Sequence, residues 1–247
     1  HYYRDYSMQR ALEAEGEEVV IEPAVAQSAT NLGADAGAGI RCHGNTREAR
    51  QEPWFGELCQ RITAAIQRHP SIDINTGLYQ RVMSERVFIT LEDHRANEIA
   101  GTAIRASHAG TDDIVMNFSP TVFRDRQALR DDLLTTVLVH EYRHVQQIEE
   151  ATEFREDFRM DHQPTIEAAV LRRFGYEVEA YETQCRFSHV SNIRPTNHCV
   201  AFDNGDRRGL ITFLIAGLIE QGDELAGHRV AVMRQYAPWM LADASVH

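Results

Sequence analysis

The amino-acid sequence predicts an α+β fold, in which a small sheet follows one helix and precedes several others. Apolar residues recur at helical spacing from Pro53, and this pattern ends before Pro70. Three short runs that contain β-branched residues then follow, separated by turn residues, at 86–92, 98–105 and 113–118. We expect these runs to form a small meander sheet.

Helical patterns resume after the expected sheet. The first runs from about Arg124 to Glu149, and Pro164 opens a second that continues to about Phe187. Two more helices are expected after a polar loop at 188–207, at about 210–220 and 223–240.

The first 50 residues are only weakly patterned. Residues 13–22 are acidic, and residues 24–39 are rich in Gly and Ala, as in a linker or a pro-region. We therefore expect an irregular extension at 1–50 and a single domain at 51–247, a size that one domain accommodates.

Composition excludes two classes of function. A net charge of −12 argues against nucleic-acid binding, which needs a basic surface, and no apolar run reaches the length of a membrane span. The numbered chain shows no signal peptide, but its first residue is His1, so an earlier segment removed by processing remains open. The expected location is therefore undetermined between cytoplasmic and secreted, and the oligomeric state is not readable.

The chain contains no lysine, so all 25 of its basic side chains are arginines. A genome biased toward arginine codons is one explanation. A second follows from chemistry, because lysines are the targets of ubiquitination and acetylation. We hypothesise that a lysine-free chain suits a bacterial toxin or effector that works inside a eukaryotic host.

The four cysteines form no C-x-x-C pair, which leaves their pairing open. Cys185 and Cys199 flank one loop and are the favoured disulfide pair. A metal site made by these two cysteines with His189 and His198 is a weaker alternative, because its spacing matches no common zinc pattern. Cys42 is a further candidate, as a thiolate that caps a metal and inhibits the protein.

The pentapeptide His140-Glu141-Tyr142-Arg143-His144 reads H-E-x-x-H within an apolar helical run. Residues i and i+4 share one face of a helix, so both imidazoles can bind one Zn²⁺ ion. Glu141 points elsewhere and is placed to accept a proton from a water molecule. Buried histidines with another role are the alternative, but an imidazole without a partner is costly inside an apolar helix.

A third ligand is expected on the following helix. With Ile166 at 0° and about 100° per residue, Glu177 falls at about 20°, within the apolar face. Glu179 falls at about 220°, on the opposite face, where a solvated surface charge is the simplest reading. The sequence therefore predicts Glu177 as the ligand, in preference to His162 in a polar loop.

These residues resemble the gluzincin clan of zinc metallopeptidases, and in particular its small bacterial members. The likeness covers roughly residues 80–187 and includes the strand before Ser119-Pro120, the H-E-x-x-H helix and Glu177-Val178-Glu179-Ala180-Tyr181. It implies a zincin-like fold and one catalytic zinc ion on His140, His144 and Glu177. Thermolysin-like enzymes have Asp where this chain has Tyr181, whose hydroxyl is a candidate hydrogen-bond donor to a ligand or water, with a core aromatic as the alternative.

The function expected from the sequence is zinc-dependent hydrolysis of peptide bonds in a protein or peptide substrate, with Glu141 as general base. Candidates for stabilising the oxyanion are Tyr181, His189, His198, His228 and Tyr236. If the strand at 114–118 forms the edge of the sheet, it could pair with an extended substrate. Two alternatives remain: a degenerate or zinc-stabilised module that binds proteins, and a zinc hydrolase that acts on a non-peptide amide.

Overall fold

The computed structural model of the protein describes residues 40–44, 49–68, 77–92, 99–106, 111–120, 131–159, 167–202 and 205–220. The strands in these ranges are β1 (Cys42–His43), β2 (Val87–Leu91), β3 (Ala100–Ala106) and β4 (Asp112–Phe118). The α-helices are α1 (Pro53–Arg68), α2 (Tyr79–Met83), α3 (Asp131–Glu150), α4 (Glu167–Val190), α5 (Asn197–Ala201) and α6 (Arg207–Glu220). Short 3₁₀ helices cover Ala49–Gln51 and Thr152–Phe158. The α+β class is confirmed.

The four strands form one mixed sheet in the order β1-β2-β4-β3. Strand β2 runs parallel to β1 and to β4, whereas β3 is antiparallel to β4. The expected meander is wrong, because β4 lies between β2 and β3. The edge position that residues 114–118 would need in order to pair with a substrate is not observed, since β4 pairs on both sides and β3 lies outside it. Burial of every residue from Ile114 to Phe118 fits this interior position.

Helix positions follow the sequence pattern more closely. Helix α1 begins at Pro53 and ends before Pro70, as predicted. The predicted long helices correspond to α3, α4 and α6 with ends shifted by a few residues, and the start expected near Arg124 lies outside the described residues. The helix expected at 223–240 also lies outside them. Two five-residue helices, α2 and α5, were not predicted.

Helix α3 is buried along most of its length. Between Leu133 and Ile148, only Arg143 and Gln146 are not fully buried. The helix packs against α1, β3 and α4. One hydrophobic cluster joins α3 to the sheet and α1, and a second joins α4, α5 and α6. The contact between α3 and α4 therefore lies where the two clusters meet.

Two disulfides tie short elements to long ones. Cys42–Cys59 joins β1 to α1, so residues 42–43 of the expected N-terminal extension belong to the sheet. Cys185–Cys199 joins α4 to α5, which confirms the favoured pair. All four thiols are used. The expected thiolate cap from Cys42 and the alternative metal site at Cys185 and Cys199 are therefore both wrong.

No helix in the described part of the chain is long and apolar enough to cross a membrane.

Replacing Cys42 and Cys59 together with alanine should lower the free energy of unfolding by about 3 kcal/mol. The disulfide closes a loop across a separation of 17 residues, and a loop of this size accounts for about that loss of entropy in the unfolded chain. Urea unfolding of the oxidised protein measures the change. The double substitution Cys185→Ala and Cys199→Ala, across a separation of 14 residues, should cost a similar amount. Unchanged stability in the first variant would show that Cys42 and Cys59 are not joined in solution.

Candidate metal centre

Two histidines of α3 place their ring nitrogens at one point between α3 and α4. His140 and His144 lie one turn apart on the same helix face, and each is only 6% exposed. Their Nε2 atoms are 3.1 Å apart, and the two rings meet edge to face. Two nitrogen atoms that approach so closely in a buried setting need either a shared proton or a common cation.

Glu177 of α4 completes a triangle with the two histidines. Its Oε2 atom lies 3.4 Å from Nε2 of His140, and its Oε1 atom lies 3.4 Å from Nε2 of His144. A tetrahedral zinc ion with ligands at 2.0–2.1 Å holds neighbouring ligand atoms about 3.3–3.4 Å apart. The separations of 3.1, 3.4 and 3.4 Å are close to this value, although the last two go to different oxygens of Glu177, and two imidazoles with one carboxylate are a donor set that could hold a metal ion.

The electrostatics of Glu177 also favour a cationic site. Burial by itself raises the pKa of this carboxyl, but the charge of His144, hydrogen bonds with both histidines and the charge of His140 outweigh it. The pKa of Glu177 therefore lies well below its usual range, and the group is an anion at neutral pH. The Glu177 side chain is only 15% exposed, so its negative charge favours a positive partner, and the two imidazoles face it.

Glu141 lies beside this triangle without belonging to it. Its side chain is held by β3, where the hydroxyl of Thr102 donates to Oε2 of Glu141 at 2.8 Å. The same hydroxyl lies 3.2 Å from the main-chain oxygen of Glu141. Both residues are buried, at 5% and 6% exposure. Strand β3 therefore holds the buried carboxylate of the residue that directly follows His140, a role for Thr102 that the sequence did not reveal.

Gln147 connects His144 to α4. Nδ1 of His144 lies 2.8 Å from Oε1 of Gln147. The amide nitrogen of Gln147 donates to the main-chain oxygen of Tyr176 at 3.0 Å and to Oε2 of Glu179 at 2.8 Å. Gln147 was not predicted as a site residue, although its place three residues after His144, on the same face of a buried helix, is a signal for it.

Glu179 is more than a solvated surface charge. Its side chain is 39% exposed, but its two oxygens bind Gln147 and Arg143, the latter at 2.6 Å. Arg143 also pairs with Glu150, at 3.1 Å. Glu179 is not one of the three grouped ligands, and among the contacts of the described residues it reaches His144 through Gln147.

Tyr181 lies against the first histidine. Its ring centroid is 4.4 Å from that of His140 and 4.5 Å from that of His198, with both rings edge to face. Tyr181 is 4% exposed. Burial lowers the pKa of His198 to about 3, with a further lowering by the charge of His140, so His198 is neutral at neutral pH. Tyr181 thus packs on the site, and its catalytic role stays a prediction.

The other predicted candidates fall elsewhere. His189 is exposed near the end of α4, and His198 is separated from His140 by Tyr181. His162, His228 and Tyr236 lie outside the described residues.

Comparison of the chain with protein-family models, curated proteins and solved structures finds no match. Its function must therefore be inferred from the centre itself.

Substituting Glu177→Gln should abolish tight binding of a divalent metal. It removes one of three ligands, so the loss of affinity should exceed the roughly 10–100-fold typical of an outer partner. Metal content of purified protein by mass spectrometry, followed by competition with a chromogenic chelator, gives the affinity. Glu182→Gln is the matched control, because Glu182 lies on the same helix and pairs with Arg207. Equal metal binding by the two variants would exclude Glu177 as a ligand.

Proposed function

We propose that this protein is a zinc-dependent metallopeptidase of the gluzincin type. The single observation that carries the proposal is the triangle of His140, His144 and Glu177, with Glu141, the residue after His140, buried and hydrogen-bonded to Thr102. Three protein ligands leave a fourth tetrahedral position open, which is the arrangement of catalytic zinc sites. A purely structural zinc site normally has four protein ligands and does not need a neighbouring carboxylate to act as a base.

The donor set narrows the choice of metal. Calcium and magnesium prefer sites made of oxygen, so two imidazoles disfavour both. Non-haem iron uses two histidines and one carboxylate for oxygen chemistry. A fourth polar group, the carboxylate of Glu141, is buried next to the ligands and suits hydrolysis, in which a base must accept a proton from water. Zinc is therefore the metal that we propose.

The roles of the protein's own residues follow from their contacts. Zinc in such a site lowers the pKa of water toward neutrality and polarises a carbonyl group. Glu141 accepts the proton of the attacking water and later delivers it to the leaving amine. Thr102 donates a hydrogen bond to Oε2 of Glu141 and thereby fixes the direction of the base. The main-chain oxygen of Glu141 lies 3.2 Å from the same hydroxyl, and the shorter contact, to Oε2, takes its single hydrogen.

Two other functions are compatible with the same ligands. A degenerate zinc-binding module would keep the metal but would not hydrolyse peptides. A zinc hydrolase for a non-peptide amide would share the metal and the base and would differ only in its substrate. The burial of Glu141 and its hydrogen bond from Thr102 favour catalysis over the first alternative.

The two disulfides bear on where the protein works. Disulfides persist in oxidising compartments and are rare in the cytosol. Cys42–Cys59 and Cys185–Cys199 therefore favour a secreted protein over a cytoplasmic one. The absence of lysine is compatible with a secreted effector, which stays a hypothesis.

The substitution Glu141→Gln should preserve zinc and lower the rate of peptide hydrolysis by about 10²–10⁴-fold, the usual contribution of a general base. Cleavage of an unbiased peptide library, followed by mass spectrometry with and without a chelator, measures activity, and metal content is measured on the same sample. Zinc without cleavage by the unmodified protein would favour the binding module or the non-peptide hydrolase. Full activity in the variant would remove Glu141 from the mechanism.

The substitution Thr102→Val should reduce hydrolysis about 10-fold or more, because a hydrogen bond to a charged group contributes about 1.5–3 kcal/mol. Zinc content should not change, since the hydrogen-bond contacts of the Thr102 side chain within the described residues are to Glu141 and not to the three ligands. Thr90→Val is the matched control, because Thr90 is a buried threonine of β2 that donates to Asn117 at 2.7 Å. Equal rates for both variants would show that Thr102 only stabilises the sheet.

A further inference from the structure

We propose that Gln147 is a positioning residue that fixes the tautomer of His144, and that Glu179 and Arg143 hold Gln147 in the required orientation. This inference rests on the metal centre of the proposed function and adds three residues to it. We call the chain Arg143–Glu179–Gln147–His144 the amide relay.

The orientation of the Gln147 amide follows from its partners. Its nitrogen contacts the main-chain oxygen of Tyr176 at 3.0 Å and Oε2 of Glu179 at 2.8 Å. A main-chain carbonyl and a carboxylate accept hydrogen bonds and donate none. The end of the amide that faces them must therefore be the NH₂ group, because the reversed amide would place three oxygen atoms against one another. Gln147 is 2% exposed, which leaves little room for water to substitute as a partner.

The tautomer of His144 follows from that orientation. With its NH₂ group directed at α4, Gln147 presents its carbonyl oxygen to Nδ1 of His144 at 2.8 Å. A carbonyl oxygen only accepts, so Nδ1 must carry the hydrogen. In the neutral imidazole the lone pair is then on Nε2, which faces His140 at 3.1 Å and Glu177 at 3.4 Å. His144 is thus prepared to bind metal through Nε2.

Glu179 and Arg143 keep the amide from reversing. Arg143 holds one oxygen of Glu179 at 2.6 Å, which leaves the other to accept from Gln147. The positive charge of Arg143 also balances the negative charge of the Glu179 carboxylate, which accepts a hydrogen bond from the buried amide of Gln147. Arg143 lies between the two histidines in sequence, on the less buried side of α3. One helix therefore supplies the two histidine ligands and the cation at the outer end of the relay.

The test compares three forms of the full-length chain. Gln147→Met keeps the approximate length of the side chain but removes its amide. The double substitution Gln147→Glu with Glu179→Gln exchanges acceptor and donor: the new carboxylate at position 147 accepts from His144, and the new amide at position 179 donates to it. Gln147→Glu alone is the mismatched form, because it sets two carboxylates against each other.

Two measurements report on the relay. Nitrogen-15 long-range NMR correlations of the metal-free chain assign the protonated nitrogen of His144, and competition with a chromogenic chelator gives the affinity for zinc. The unmodified chain should show hydrogen on Nδ1. Gln147→Met should lose that preference and bind zinc about 10–100-fold more weakly, the usual effect of losing an outer partner of a histidine ligand. Gln147→Glu alone should also weaken binding, and the double substitution should recover part of the lost affinity, because the new amide at position 179 donates to the carboxylate while the main-chain oxygen of Tyr176 loses its donor.

The outcomes separate this inference from the proposed function. Absence of hydrogen from Nδ1 of His144 in the unmodified chain, or an unchanged tautomer and zinc affinity in Gln147→Met, would overturn the relay and leave the metallopeptidase standing. Should Gln147→Met fail to fold, the mismatched and exchanged forms still decide, because equal zinc affinity in these two would refute the relay. Zinc binding that responds to Gln147 without any peptide cleavage would support the relay and count against the peptidase.

Discussion

The fold depends on the hydrogen bonds and ion pairs that neighbouring elements make with the polar side chains buried on α3. This helix is enclosed by α1, β3 and α4, yet it carries His140, Glu141, His144 and Gln147 into the interior. A buried polar group without a hydrogen bond costs about 1–3 kcal/mol, so each needs a partner. The partners come from β3, which supplies Thr102, and from α4, which supplies Glu177, Glu179 and a main-chain oxygen. Strand β3 and helix α4 are therefore positioned by the polar groups of α3 as well as by apolar packing.

The parts of the site that the sequence predicted are those that one helix determines. His140 and His144 share a face because they are four residues apart, whatever surrounds the helix. Glu177 was found in the same way, since its place among the apolar residues of α4 follows from helical periodicity. Helices α1, α3, α4 and α6 are long enough to show that periodicity. Helices α2 and α5, at five residues each, are too short to show it and were missed.

The parts that were not predicted depend on contacts between distant segments. The sheet order places β4 between β2 and β3, and the extended patterns alone do not distinguish this from a meander. Nothing in the sequence distinguishes Thr102 from the other threonines, because its role depends on the packing of β3 against α3. Glu179 was judged from a single apolar stripe, but α4 contributes residues to two hydrophobic clusters, with Tyr176 and Phe187 in one and Val178 in the other. Because α4 packs on two sides, a residue between its two apolar faces, such as Glu179, can contact side chains of α3.

The metal centre lies at the boundary of the two hydrophobic clusters, which ties its chemistry to the stability of the fold. His140 and His144 belong to the helix that anchors the first cluster, and Glu177 lies one residue from Val178 in the second. An ion bound by all three joins the clusters through one atom. Because such an ion binds the folded chain and not the unfolded one, it stabilises the fold by about 4 kcal/mol at a free concentration 1,000 times its dissociation constant. That amount is comparable to a disulfide, and it would act between α3 and α4, which neither Cys42–Cys59 nor Cys185–Cys199 joins. The residues suited to hydrolysis are thus also those that would hold α3 against α4.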